Sequence, residues 1–129
     1  RGDKIALLFQ ELKLFPLLTA QENINLIPQV NSHSPSIEEM ADRLGMKDFL
    51  TQKVANLSYG QRQRIALIRV LRKPFQLLLL DEPFSHLDQE NEERACSLIE
   101  EVARTNKATF LLTSLGQNPP LSFDQILSL

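Results

Sequence analysis

The sequence is short of cysteine, of net charge and of long apolar runs, and each shortage excludes something. A single cysteine, Cys96, rules out an intrachain disulfide framework and suits a reducing compartment. Fourteen basic against sixteen acidic side chains leave a formal net charge of -2. That balance points neither to bulk nucleic-acid binding nor to an acidic tail. No apolar run approaches the length of a membrane span. The opening "RGDKIALLFQ" lacks the apolar region and small-residue cleavage site of a signal peptide, so an intracellular protein or fragment is expected. There is no internal repeat and no low-complexity tract. His33 and His86 have no second histidine or cysteine at ligand spacing, so a structural metal is not expected. At 129 residues and 43% hydrophobic, the chain has the length of at most one domain and an ordinary globular composition.

What is present alternates between strand and helix. The run "IALLF", Ile5 to Phe9, reads as a buried strand, with Gln10 directly after it. Thr19 and Glu22 have capping-box spacing, so a helix is expected from about Ala20, limited by Pro28. The stretch "NSHSPS" is a loop by composition. Ser36 and Glu39 repeat the capping pattern, and Ile37, Met40, Ala41 and Leu44 follow at helical spacing before Gly45. Ser58 and Gln61 form a third such pair, opening a helix to about Lys73, where Pro74 blocks extension. "QLLLL", Gln76 to Leu80, reads as a strand buried on both faces. Asp88 can cap the next helix, whose Ala95, Leu98, Ile99, Val102 and Ala103 line one face. Ala108 to Thr113 and Gln125 to Leu129 are expected as further strands. The alternation implies an α/β fold with a mainly parallel sheet.

Two stretches carry chemistry. In "LLLLDEPFSHLD" an apolar strand ends in adjacent carboxylates, Asp81 and Glu82. Ligands of open parallel sheets sit outside the carboxyl ends of the strands. A carboxylate there can hold magnesium through its water shell, and a second can take a proton from an attacking water. A strand ending in a polar turn at Pro83 would look the same. In "LSYGQRQR" Ser58 caps a helix whose first amides attract an anion, and Gly60 lets a phosphate approach the backbone. A plain capped helix is the alternative.

The order of these pieces resembles the ATP-binding cassette (ABC) ATPases, the nucleotide-binding domains of ABC transporters. Leu57 to Gln61 are similar to the signature motif LSGGQ, departing from it at Tyr59. Leu77 to Asp81 resemble the Walker B strand, Glu82 the catalytic glutamate, "SHLD" through Asp88 the D-loop, and Gln10 the Q-loop glutamine. The resemblance covers nearly the whole chain. It implies a P-loop NTPase core, mainly parallel, with a small helical subdomain. Residues 1–19 would hold the core strand and Q-loop, 20–57 the helical subdomain, and 58–129 the signature helix, Walker B, D-loop and the rest of the core. It further implies ATP and Mg2+ as ligands and a second nucleotide-binding domain as partner. Ser58, Tyr59, Gly60 and Gln61 would meet ATP held by that partner, with Asp88 in the adjoining D-loop. Gln10 and Asp81 would face the magnesium and Glu82 the attacking water. A membrane permease would be contacted through the helical subdomain and Q-loop, at the cytoplasmic face of the membrane, with no nucleic acid involved.

Two departures follow. The phosphate-holding loop G-x-x-x-x-G-K-[ST] should precede Gln10, yet the chain has no Gly-Lys pair, so the core is expected to be incomplete. The chain would then be a C-terminal piece or a domain that has lost its front half. After "ATFLLT" the family usually carries a γ-phosphate-contacting histidine, and Leu115 stands there instead, able neither to donate a hydrogen bond nor to carry charge. Hydrolysis by the chain alone is therefore not expected. The reading from another class is a degenerate cassette that lends its signature surface to a competent partner. Coiled-coil ABC ATPases of chromosome structure are set aside, since about 46 residues without heptads separate Gln10 from the signature. "FQELKLFPLLTAQENI" looks like the Q-loop region serving lipoprotein-release and macrolide-export permeases. Arg62, Arg64, Arg69, Arg72 and Lys73 make the helix opened by Ser58 basic, and Arg69, Arg72 and Lys73 are read as complementing its C-terminal dipole rather than as nucleic-acid contacts. Cys96 is expected to pack.

Overall fold

The computed structural model describes residues 4–28, 34–115 and 118–122. His33, Gly116 and the strand expected at Gln125 to Leu129 lie outside the described residues. In order, the elements are β1 (Ile5–Leu8), α1 (Ala20–Asn25), α2 (Ile37–Arg43), two short 3-10 turns, α3 (Tyr59–Leu71), β2 (Leu77–Asp81), α4 (Gln89–Asn106) and β3 (Thr109–Thr113). Each α-helix starts where a capping residue was expected. Thr19 Oγ1 accepts from the Glu22 amide while the Glu22 carboxylate accepts from the Thr19 amide. Ser36, Ser58 and Asp88 likewise accept from the amides of Glu39, Gln61 and Asn91. Satisfying these otherwise orphaned donors contributes about 1 kcal/mol per cap.

The three strands form one parallel sheet in the order β1-β2-β3. Leu8 pairs with Leu80, and Asp81 with Thr113. Ala6, Leu8, Leu78 and Leu80 join a continuous core with Ile65, Ile68 and Leu71 of α3 and Leu98, Ile99 and Val102 of α4. Ile24, Met40 and Leu44, from the helical stretch before α3, belong to the same core.

β2 departs from the sequence reading. It was expected to be buried on both faces, but Leu78 and Leu80 are buried while Leu77 and Leu79 are only half-buried. On that second face Ile5, Leu7 and Leu111 are 46%, 45% and 58% exposed. The helices cover one side of the sheet, and among the described residues no layer covers the other. β1 and β3 are both sheet edges within those residues, so β3 has no neighbour on its outer side.

Arg69 and Arg72 stand at the C-terminal end of α3, where the sequence reading puts them against the helix dipole, and the arginines of this helix also bind carbonyls that the sequence did not point to. Arg62 donates to the carbonyls of Val54 and Ala55, and Arg69 to those of Leu12 and Lys13. Arg72 donates to Ile27 O, and Arg64 to Leu44 O, Gly60 O and the Asn91 side chain. Irregular segments leave carbonyls without ladder partners, and a buried carbonyl needs a donor. Burial lowers the guanidinium pKa of Arg64, Arg69 and Arg72, while Asp88 and Glu38 pull Arg64 and Arg72 partly back.

Candidate functional site

The end of β2 carries the two carboxylates. Asp81 is exposed, and its Oδ1 accepts from Thr113 Oγ1 at 2.7 Å. That bond follows from the strand register, which sets Thr113 opposite Asp81. The next residue, Glu82, adopts φ +51°. A non-glycine residue in the left-handed region costs roughly 1–2 kcal/mol. Three contacts hold it there. The Glu82 amide donates to both Thr113 O (3.2 Å) and Thr113 Oγ1 (3.1 Å), and the Glu82 carbonyl accepts from Gln63 Nε2 at 3.4 Å. The turn aims Glu82 into an open cleft of about 550 Å³ lined also by Ser85, Gln89, Glu92, Ser114 and Leu115. Leu115, where the resemblance calls for a histidine, is 86% exposed.

Gln63 is the residue that sequence reasoning missed. It is buried on α3, and besides the Glu82 carbonyl its amide nitrogen donates to Ser85 Oγ at 3.0 Å. Its carbonyl oxygen accepts from the His86 amide at 3.1 Å. A single side chain thus fastens the turn after β2 to α3. The available signal was its place one helical turn before Ala66 and Leu67, on the buried face.

At the start of α3, Ser58 Oγ accepts from the Gln61 amide at 3.1 Å and Gln61 Oε1 accepts from the Ser58 amide at 2.9 Å. The Arg62 amide is taken by Ser58 O. The amides of Tyr59 and Gly60 have no acceptor within the helix, as the first turn of any helix requires. Gly60 is glycine for a reason the sequence did not show. A Cβ there would lie 2.4 Å from the His86 carbonyl oxygen. Asp88 caps α4 through its bond to the Asn91 amide at 2.8 Å, and so anchors the far end of the same turn.

Gln10 is exposed just past β1, at the end of the sheet where Asp81 closes the neighbouring β2. Its carbonyl accepts from Tyr59 Oη at 2.6 Å. Tyr59 also packs its ring on His86, with centroids 4.4 Å apart and planes tilted by 58°. The structure therefore joins Gln10, Tyr59 and the 82–88 turn directly. No bond runs from Gln10 to Asp81 among the described residues.

Asp81 fits a magnesium ion that keeps most of its waters, because the exposed carboxylate has acceptor capacity left beyond the Thr113 bond. Among the described residues no cluster of three or more His, Cys, Asp or Glu side chains is placed to hold a metal by itself. Cys96 lies apart from the cleft, buried in α4. Desolvation, with the carboxylates of Glu92, Glu100 and Glu93, pushes its thiol up to about 12.

A model of the ABC transporter family matches residues 1–85. The thiamine import ATP-binding protein ThiQ of Haemophilus influenzae is 37% identical over 129 residues, covering 95% of this chain and 60% of its own length. The ThiQ of Photobacterium profundum is 40% identical over 113 residues, covering 84% of this chain and 47% of its own. These relatives are named for thiamine import, not for the lipoprotein and macrolide systems suggested by residues 9–24. The chain spans about half the length of the curated relatives it matches. Among solved structures, a dimeric bacterial ABC transporter cassette superposes with a TM-score of 0.67 at 32% identity, over 86% of this chain and 52% of that one. An archaeal ribosome recycling factor gives a TM-score of 0.74 at 26% identity, over 87% of this chain and 22% of that one.

Proposed function

The chain belongs to the ABC transporter family of ATP-binding proteins, and from that premise we propose that it is the signature-bearing part of a nucleotide-binding domain that closes over ATP held by a partner domain. The observation that carries this reading is one hydrogen-bonded assembly. Tyr59 reaches Gln10, and Gln63 reaches the turn of Glu82, Ser85 and His86. The segments that resemble Q-loop, signature, catalytic glutamate and D-loop are thereby tied together at one end of the sheet.

In this reading the Tyr59 and Gly60 amides and the Ser58 hydroxyl receive the γ-phosphate of the partner's ATP, favoured by the positive end of α3. Gln61 supports them by closing the capping box. Asp81 and Gln10 face the magnesium, which neutralises phosphate charge when bound. Glu82 orients the attacking water and accepts its proton. Residues 20–57 form the helical unit that meets a membrane permease at the cytoplasmic face. No helix among the described residues is long and apolar enough to cross a membrane. The ThiQ relatives favour a small cationic solute taken up by import, read out through the permease.

Alone, the chain should not turn over ATP, because nothing in its sequence supplies the G-x-x-x-x-G-K-[ST] loop that positions the phosphates. The exposed Leu115 in the Glu82 cleft favours a second reading, in which the chain lends its signature surface and hydrolyses nothing. One experiment tests both. ATP turnover is measured for the purified chain with and without magnesium, then mixed with an intact cassette, each beside Glu82→Gln. We expect no turnover alone and magnesium-dependent turnover in the mixture that falls in the variant. Stimulation unaffected by Glu82→Gln selects the second reading. Magnesium-dependent turnover by the chain alone, lost in Glu82→Gln, defeats the account of the site.

A further inference from the structure

We propose that Tyr59 is a positioning residue that clamps the loop after β1 against the signature helix and the turn after β2. The family motif LSGGQ has a glycine at this place, so the phenol departs from that motif. Its hydroxyl donates to the Gln10 carbonyl at 2.6 Å, across a sequence separation of 49 residues. Its ring rests on His86, whose Nδ1 lies 3.0 Å from Ser85 Oγ. Gln63 holds the same turn from the buried side of α3, so His86 is a fixed surface for the ring to lean on. Farther along α3, Arg69 holds the next part of the loop through Leu12 O and Lys13 O.

The loop thus has two points of attachment to one helix. Arg69 sets its middle, and Tyr59 holds the backbone of Gln10. Lys13 at φ +57° marks the bend between this stretch and the rest of the loop. A carbonyl held at its own residue fixes where the Gln10 side chain starts, and therefore what that side chain can reach. The importance of this for magnesium rests on the reading of Gln10 given above; the clamp itself does not.

The test compares the whole chain with Tyr59→Phe and Tyr59→Gly. Phenylalanine keeps the ring contact and loses only the donor. The Gln10 carbonyl-carbon and Glu11 amide resonances should move in Tyr59→Phe, because that carbonyl loses its donor, while resonances of β2 and α4 hold. Tyr59→Gly should move both these and the resonances of the 83–87 turn. Gln10 and Glu11 resonances that are unchanged in Tyr59→Phe, or shifts that are equal throughout the chain, overturn the clamp. Tyr59 is the only tyrosine and there is no tryptophan, so phenol emission gives a second readout without background. His86→Ala should move it toward the value of the urea-unfolded chain, and an unmoved spectrum removes His86 from the clamp. In the mixture with an intact cassette, Tyr59→Phe should raise the magnesium concentration for half-maximal turnover. An unchanged magnesium dependence beside a loosened loop overturns the positioning of Gln10. A wild-type mixture without turnover strikes the ATPase reading instead, and leaves the resonance shifts to decide the clamp.

Discussion

Replacing Gly60 by alanine separates two explanations of a glycine at the start of a helix. If helix propensity alone governed, alanine would stabilise by up to about 1 kcal/mol. The structure reverses the sign. The added methyl would lie 2.4 Å from the His86 carbonyl oxygen, about 1 Å inside ordinary contact. The carbonyl cannot simply withdraw. The His86 amide is bound to Gln63, Ser85 is bound to the same side chain, and the Leu87 amide closes a turn onto Phe84 O. Overpacking of this kind costs about 1–3 kcal/mol, and loss of one of these bonds about 1 kcal/mol more. Less the helical gain, the net destabilisation is about 1–3 kcal/mol. For a chain of this size that lowers Tm by about 5–10 °C. Calorimetry of Gly60→Ala, Gln63→Ala and the double variant provides the assay. Freeing the turn with Gln63→Ala should reduce the cost of the methyl by about 0.5–1 kcal/mol. A Tm for Gly60→Ala equal to or above wild type refutes the close approach of α3 to the turn.

Other outcomes follow from the same geometry. Glu82→Gly removes the left-handed strain and should raise stability by about 1 kcal/mol in urea titration, while Glu82→Gln, with the same backbone strain, should leave it within about 0.5 kcal/mol. Thr113→Val keeps shape but loses the bonds to Asp81 and to the Glu82 amide; a loss of about 1–2 kcal/mol is expected, with the Asp81 and Glu82 amide resonances moving most. The Cys96 thiol is raised to about 12 in the fold against an ordinary value of 9.0. The folded form therefore holds the proton more tightly, and the associated stability is complete below pH 9 and drains away between about pH 9 and 12, by about 1.4 kcal/mol per unit at most. Urea titrations across that range should show a shallower alkaline decline for Cys96→Ala than for wild type.

The elements were legible because their signals are local. Thr19, Ser36, Ser58 and Asp88 each announce a helix by a side chain that binds an amide two or three residues on. The strands show as apolar runs, and their alternation with helices fixes a parallel sheet. What stayed hidden depends on register and on distant partners. Nothing in "ATFLLT" says that Thr113 will stand opposite Asp81, because pairing is decided by the sheet as a whole. Gln63 and Asn23 look like ordinary helical polar residues. Only the fold shows Asn23 buried, with its amide spanning Phe15 N, Phe15 O and Thr19 O. The carbonyl partners of the α3 arginines stayed hidden for the same reason, since a guanidinium seeking a remote carbonyl has the same spacing as one facing water. The double burial expected of β2 failed because an apolar run reports what a strand can cover, not how many layers are there to cover it.

The pairing of Ile5 with Leu77 sets a schedule for the newborn chain. β1 leaves the ribosome before β2, its partner strand among the described residues, which arrives about 70 residues later, roughly 4–14 s at ordinary rates of synthesis. During that interval α1, α2 and most of α3 can already assemble, since their mutual contacts close within the stretch already made. β1 waits meanwhile with its backbone groups unpaired, a short extended apolar segment of the sort that holdase chaperones bind. Slow codons placed before Leu77 would lengthen that exposure, and those placed after Thr113 would not.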